Sequence, residues 1–178
     1  DSLNRQSIDQ YMKKNMYHPL GLRHISYLPL RYYSKNKIVP TEQERMFRYG
    51  FLHGYVHDPS AAMLGGIAGN AGLFSSAHDL GVLFQMVLNG GTYGGKKYIH
   101  PSVIKQFTTR IEETQRGLGF DMPNRKAKVG SRAPLSTYGH SGFTGTCVWV
   151  DPDNQIVYVF LANRNHPNAS NWRINLYN

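Results

Sequence analysis

Cysteine, long apolar runs and acidic side chains are all scarce in this sequence of 178 residues. The single cysteine, Cys147, rules out a disulfide within the chain. No apolar run approaches the roughly 18 residues that a membrane-spanning helix needs. The chain begins with neither an initiator methionine nor an apolar signal region, so we expect it to start after a processed segment or inside a longer protein.

Acidic residues number 11 against 20 lysines and arginines, which leaves a net charge of +9. Such a balance favours anionic partners such as nucleic acid, lipid or an acidic polymer. The basic residues are scattered, however, and no helix-turn-helix, zinc-finger or RNA-recognition motif is present. We therefore expect solvated surface charge and no dedicated nucleic-acid site.

Hydrophobic residues make up 40% of the chain and aromatic residues 12%, which indicates one folded domain with a real core. Hydrophobic spacing and capping residues predict helices over Ser7–Tyr17, Thr41–Tyr49, Leu80–Leu88 and Pro101–Thr108. Residues 26–40 and 123–136 are predicted loops. The glycine-rich stretch 50–72 predicts tight turns without regular structure.

Two strands are predicted near the end of the chain, Thr144–Val150 and Gln155–Ala162, joined as a hairpin by the turn Asp151–Asn154. Cys147 lies in the first of them, where a small packed thiol is expected. Gly117–Phe120 is predicted to be a short extended segment. Helices followed by an antiparallel hairpin predict an α+β fold, with helices packed on an antiparallel sheet. Because two strands alone do not form a stable sheet, further strands must complete it.

The most informative run is Tyr138–Gly145, which places His140, Ser141 and Gly142 in a row before the hairpin. A basic residue, a hydroxyl residue and a glycine in that order resemble the third motif of penicillin-recognising serine enzymes. A packed or surface histidine is the alternative interpretation of this tripeptide alone.

Other segments occur in the order of the same family. They are a helix that ends in Pro19–Leu22, the glycine-rich stretch Gly65–Leu80 that leads into a capped helix, and the strand end Phe160–Arg164. The chain therefore resembles a serine β-lactamase-like or penicillin-binding-protein domain. His53–Pro59 is similar to β-lactamase-like domains fused to glycoside hydrolase family 3 β-N-acetylglucosaminidases of bacteria.

The resemblance implies a partial β-lactamase/transpeptidase-like fold, acyl transfer through an acyl-enzyme, no metal or cofactor, and a place outside the cytoplasm, in the periplasm or cell envelope. It assigns catalytic roles to His140 and Ser141, as the basic group and the hydroxyl of the third motif. It assigns substrate binding to Gly142, which gives access, and to Phe143, whose backbone N–H is an expected oxyanion donor.

The other two catalytic motifs of the family are absent from their expected places. No Tyr-x-Asn occurs, and the Ser-x-x-Lys strings at Ser34–Lys37 and Ser102–Lys105 lie downstream of where the family has its nucleophile. We therefore expect residues 1–178 to be the C-terminal portion of a single domain, inactive alone. Its expected partners are the missing N-terminal half and a small-molecule or peptidoglycan-derived substrate. The alternative is a non-catalytic accessory module of an envelope β-N-acetylglucosaminidase.

Two histidine clusters admit a second interpretation. The spacing of His53 and His57, with Asp58, would suit metal ligands on a helix, but the neighbouring Gly54 and Pro59 favour a loop. We expect this loop to border the binding cleft. The pair His78 and Asp79 is expected to belong to a helix cap.

Overall fold

The computed structural model describes residues 5–123 and 132–168. Within these residues the chain divides into two compact units. The first consists of residues 5–79 and 163–168, and the second of residues 80–123 and 132–162. No helix found in the two described ranges has both the length and the apolar character to cross a bilayer.

The first helix confirms the predicted cap but not the predicted uniform helix. Helix α1 (Ile8–Met12) begins with a capping box, in which Ser7 and Gln10 each accept the other's backbone N–H through their side chains. From Lys13 to Tyr17 the helix continues as a π-helical turn. The side-chain amide of Asn15 donates to the Tyr11 carbonyl at 2.9 Å, which competes with α-helical pairing at that carbonyl.

Four short strands lie in the first unit: β1 (Ser26–Tyr27), β2 (Pro40–Gln43), β3 (Phe51–His53) and β4 (Leu73–Phe74). Strand β1 pairs with β4 and β2 pairs with β3, both antiparallel. Single 3-10 turns at Pro29–Arg31 and Lys35–Lys37 interrupt the predicted loop. The glycine-rich stretch also contains a short helix, α2 (Pro59–Met63), capped by the Asp58 carboxylate, which accepts the Ala61 N–H at 2.8 Å.

The predicted helix over Thr41–Tyr49 is wrong, because its first residues form β2. The Glu44 carboxylate does not cap a helix; it accepts the backbone N–H groups of three successive residues, Met46, Phe47 and Arg48. These contacts close a turn that returns the chain to β3. The side-chain amide of Asn163, more than a hundred residues later, donates to the β2 carbonyls of Pro40 and Thr41. Tertiary contacts therefore override the local helix signal.

The two later helices follow the prediction closely. Helix α3 (Ala77–Leu88) begins one turn before the predicted Leu80, with the Ser76 hydroxyl accepting the Asp79 N–H at 3.2 Å. It ends at Asn89–Gly91, where both glycines have positive φ. A side chain at Gly91 would place its Cβ 2.2 Å from the Ile99 carbonyl oxygen, so only glycine fits there. After the hairpin of β5 (Thr92–Tyr93) and β6 (Lys96–Lys97), helix α4 spans Pro101–Thr108.

The main sheet of the second unit has three antiparallel strands in the order β7 (Tyr138–Ser141), β8 (Cys147–Asp151) and β9 (Ile156–Phe160). Its buried centre is Met122, Tyr138 and Val150, and half-buried α3 side chains pack against it: Phe84, Val87 and Leu88. The α+β prediction is confirmed, and β7 is the strand that the predicted hairpin lacked. Gly117–Phe120 is a bend and not a strand, flanked by a bridge between Arg116 and Asp121.

Candidate active site

His140 and Ser141 form the end of strand β7, where His140 is exposed and Ser141 is half-buried. In the register of the sheet, His140 lies opposite Val148 and Ser141 opposite Cys147. Because side chains alternate along a strand, Tyr138 and His140 share one face. Tyr138 is buried in the core on that face, whereas His140 is exposed. The strand therefore leaves the core between these two residues and presents the imidazole to solvent.

Gly139 fixes the path of β7, because its backbone lies close to strand β8. A Cβ built there would lie 2.1 Å from the Val148 carbonyl oxygen and 2.6 Å from a carbon of the Trp149 ring. The backbone of β7 also pairs with Asp121 through hydrogen bonds of 2.7 and 3.0 Å on its other side. A glycine inside a strand pattern is a known sign of close backbone approach, so the signal was present in the sequence.

The turn after β7 holds the two residues assigned to substrate binding. The Gly142 N–H donates to the Thr146 carbonyl at 2.7 Å, and the Gly145 N–H donates to the Gly142 carbonyl at 3.0 Å. The Phe143 side chain stands at the tip of this turn, 61% exposed. The structure therefore brings the four predicted residues, 140–143, together on one exposed strand end and turn.

The phenol of Tyr138 is buried in the core beside this strand end. Burial raises the pKa of Tyr138 to about 12, so its phenol stays neutral at physiological pH. The Tyr138 ring packs against Phe120 with centroids 5.3 Å apart. Tyr138 therefore supports the strand and is unsuited to proton transfer near neutrality.

Neither literal Ser-x-x-Lys string has the buried lysine that the family mechanism uses. Ser34 and Lys37 are exposed, and the Ser34 hydroxyl donates to the Asn36 side-chain carbonyl at 2.6 Å. Ser102 and Lys105 are exposed on α4. The Ser102 hydroxyl lies 2.8 Å from His100 Nδ1, within the cap that begins this helix.

The histidine cluster of the first unit is occupied by contacts within that unit. His53 Nε2 lies 2.6 Å from the Ile38 carbonyl, and His57 Nε2 lies 2.5 Å from Glu42 Oε1. Asp58 caps α2. In the described part of the chain, no group of three or more His, Cys, Asp or Glu could hold a metal ion. The buried Glu42 is the partner of His57, and the predicted helix over Thr41–Tyr49 gave no sign of this pairing.

His78 and Asp79 do lie at the start of α3, but the carboxylate reaches beyond the predicted cap. Asp79 is almost fully buried and accepts the backbone N–H of His24 at 2.5 Å, while its own N–H meets the Ser76 hydroxyl. Asp79 therefore ties the beginning of α3 to the segment after the first helix.

A helix layered on an antiparallel sheet, with a His-Ser-Gly run at the end of a strand, is the arrangement that the resemblance to penicillin-recognising serine enzymes predicts. The chain belongs to the beta-lactamase family, whose model matches residues 2–176. The chain is 37% identical to a Salmonella gallinarum protein named "Putative D-alanyl-D-alanine carboxypeptidase" over 191 aligned positions, which cover 98% of this chain and 44% of that relative.

Solved structures show the same fold. A beta-lactamase from Mycobacterium bovis superposes with a TM-score of 0.60 at 19% identity, covering 96% of this chain and 53% of its own. A penicillin-binding protein homologue from Caulobacter crescentus also gives 0.60, at 18% identity, covering 89% and 47%. The chain thus spans about half the length of the relatives and structures that it matches.

Proposed function

We propose that this chain supplies one wall of the substrate cleft of a serine hydrolase, as the C-terminal portion of a single β-lactamase-like domain. The nucleophile-bearing Ser-x-x-Lys and the Tyr-x-Asn motif would then lie in polypeptide outside residues 1–178. The observation that carries this proposal is the exposure of His140 at the end of β7, on the strand face whose neighbour Tyr138 is buried. The match to only 44% of the carboxypeptidase-like relative supports it.

Each predicted site residue has a role that fits its position. The His140 imidazole supplies positive potential for a substrate carboxylate and takes part in proton transfer, and the Ser141 hydroxyl supplies a hydrogen bond. The backbone N–H of Phe143 is the proposed oxyanion donor, as the family resemblance implies, while the Gly142 N–H donates to the Thr146 carbonyl and holds the turn. The serine of the complete domain would attack a carbonyl carbon, form an acyl-enzyme and release the acyl group to water.

One edge of the main sheet, as the described residues form it, also supports an incomplete domain. Strand β9 is the edge strand in the order β7-β8-β9, and its Ile156 and Tyr158 side chains are about half exposed. An exposed apolar edge strand tends to pair with a further strand. A strand from the missing N-terminal half would extend the sheet beside β9.

The substrate we propose is a peptidoglycan-derived peptide or another small acyl compound, handled outside the cytoplasm. The name of the 37%-identical Salmonella relative, "Putative D-alanyl-D-alanine carboxypeptidase", favours a peptide over a lipid ester. The proposed location, in the periplasm or cell envelope, follows from the same substrate class.

Hydrolysis assays test this proposal directly. The chain alone should turn over neither a chromogenic cephalosporin nor a nitrophenyl ester above the buffer rate. The full gene product should turn over at least one of them, and His140→Ala should reduce that rate by about 100-fold, in the range for loss of an acid–base group. Turnover by the 178-residue chain, abolished by Ser102→Ala or Ser34→Ala, would overturn the proposal.

A second candidate is a non-catalytic accessory module of an envelope β-N-acetylglucosaminidase. No lysine in the described residues is buried, so no serine there has the buried lysine partner of the family mechanism. This observation favours a non-catalytic module. The two candidates differ in the full gene product. A Ser-x-x-Lys upstream of Asp1 supports the hydrolase, whereas its absence, together with a glycoside hydrolase family 3 domain, supports the accessory module.

A further inference from the structure

One segment of the first unit carries basic residues with no acidic residues among them. Between Asp9 and Glu42 the chain has no acidic residue, although acidic residues occur on both sides of this segment. Six basic residues lie within it: Lys13, Lys14, Arg23, Arg31, Lys35 and Lys37. Lys13 pairs with Asp9 at 3.2 Å, so its charge is offset. The other five are exposed and carry the excess charge.

Two neighbouring tyrosines join the pieces of chain that bear these charges. The Tyr32 hydroxyl lies 2.5 Å from Lys13 Nζ, on the π-helical turn after α1. The Tyr33 hydroxyl donates to the Arg23 carbonyl, and its ring lies 6.1 Å from that of His24. The Tyr32–Tyr33 pair, which lies between the two 3-10 turns, therefore contacts the π-helical turn and the segment at residues 23–24. The exposed basic side chains belong to these neighbouring segments, and we call the surface of residues 11–14, 23–24 and 30–39 the basic face.

Apolar side chains are exposed between the charges of the basic face. Leu30 is 48% exposed, Tyr32 53% and Val39 68%. Leu30 and Tyr32 flank Arg31 directly, and Val39 follows Lys37 by two residues. Tyrosine and aliphatic side chains beside lysine and arginine are the composition that favours the boundary between lipid headgroups and acyl chains.

We propose that the basic face docks the protein peripherally on a bilayer surface that contains anionic phospholipid. Lysine and arginine would contact lipid phosphates, while Leu30, Tyr32 and Val39 would enter the interfacial region. A soluble phosphate polymer would satisfy the same charges but would gain little from burying Leu30 and Val39, so the exposed apolar side chains favour the bilayer. The basic face uses none of residues 140–143 and is independent of the proposed hydrolase site.

Sedimentation with large unilamellar vesicles tests the proposal. The chain should bind vesicles of equal phosphatidylglycerol and phosphatidylcholine and should not bind phosphatidylcholine alone. Each basic residue near an anionic leaflet contributes about fivefold in partitioning. The triple variant Arg31→Glu/Lys35→Glu/Lys37→Glu should therefore lose about 100-fold or more. The matched control Lys96→Glu/Lys97→Glu/Lys105→Glu has the same net charge and changes exposed side chains of the second unit, so it should retain most of the binding.

A second pair of measurements separates the lipid from a soluble polyanion. Leu30→Ser/Val39→Ser should weaken vesicle binding several-fold and leave retention by soluble polyphosphate unchanged. Equal losses in the two triple variants would show that net charge alone governs binding and would overturn the proposal. Undiminished vesicle binding by Leu30→Ser/Val39→Ser would also overturn it and would indicate a polyanion surface. All of these variants change exposed side chains only. Circular dichroism of each variant checks that the fold is retained.

Discussion

Replacing Gly139 by alanine should disrupt the strand that carries His140. The added Cβ would meet the Val148 carbonyl oxygen at 2.1 Å and the Trp149 ring at 2.6 Å. An ordinary contact between such atoms is longer by roughly 1 Å, so the backbones of β7 and β8 must separate. Because the obstacle is the backbone of a paired strand, local repacking cannot relieve it. We expect a loss of about 3 kcal/mol or more in the free energy of unfolding, at the upper end for overpacking.

Urea unfolding followed by tryptophan fluorescence measures this loss, since the buried Trp149 ring contacts the substituted position. With a slope of about 2 kcal/mol per molar, a loss of about 3 kcal/mol lowers the midpoint by roughly 1.5 M. Gly142→Ala is the matched control. Its Cβ would meet the side-chain hydroxyl of Thr146 at 2.6 Å, and that side chain can rotate away, so we expect a smaller loss of about 1 kcal/mol. A Gly139→Ala protein as stable as the parent would show that the β8 backbone leaves room for a side chain at this position.

Three further predictions concern other parts of the fold. The backbone N–H of Arg48, followed by those of Phe47 and Met46, lowers the pKa of Glu44 from 4.5 to about 2. Glu44 should therefore add stability that is complete above about pH 4.5 and is lost as the pH falls toward 2, and Glu44→Gln should flatten the measured pH dependence in that window. Ser7→Ala should cost about 1 kcal/mol in thermal or urea unfolding, because it removes one half of the capping box. Cys147 is buried, so a thiol reagent should label it only at the rate of unfolding; rapid labelling of the folded chain would contradict its position.

The elements that the sequence predicts well have their signals within a few residues. Helix α4 runs over Pro101–Thr108 as predicted, because proline at the first position and a capping residue define its start. Helix α3 is found for the same reason, through Ser76 and the glycines that end it. The hairpin of β8 and β9 follows from alternating apolar residues around Asp151, whose carboxylate accepts the Asp153 and Asn154 N–H groups.

The elements that the sequence mispredicts depend on residues distant in the chain or on competing local contacts. The local sequence of strand β2 has the pattern of a capped helix. The Asn163 side chain, distant in the chain, holds β2 as a strand, and the Glu44 carboxylate holds the turn after it. Helix α2 was hidden by its glycine-rich surroundings, although Asp58 followed by Pro59 is a normal helix start.

For the candidate site, the structure places the consecutive residues 140–143 at the end of β7 and in the turn after it, and their roles stay predictions. The sequence could not predict that His140 emerges from the core while Tyr138 stays buried, because alternation assigns both side chains to the same face. The exposure of His140 depends on where the buried core around Met122 and Val150 ends. Their position follows from tertiary packing and not from the local pattern.

Intact-protein mass spectrometry after incubation with a penicillin tests the central claim most directly. We predict no acyl adduct on the 178-residue chain and one adduct on the full gene product, on a serine that precedes Asp1. His140→Ala in the full product should slow formation of that adduct by about 100-fold. An adduct on Ser34 or Ser102 of the chain alone would contradict the proposal that the nucleophile precedes Asp1. Adduct formation at the same rate in His140→Ala would contradict the proposed role of His140.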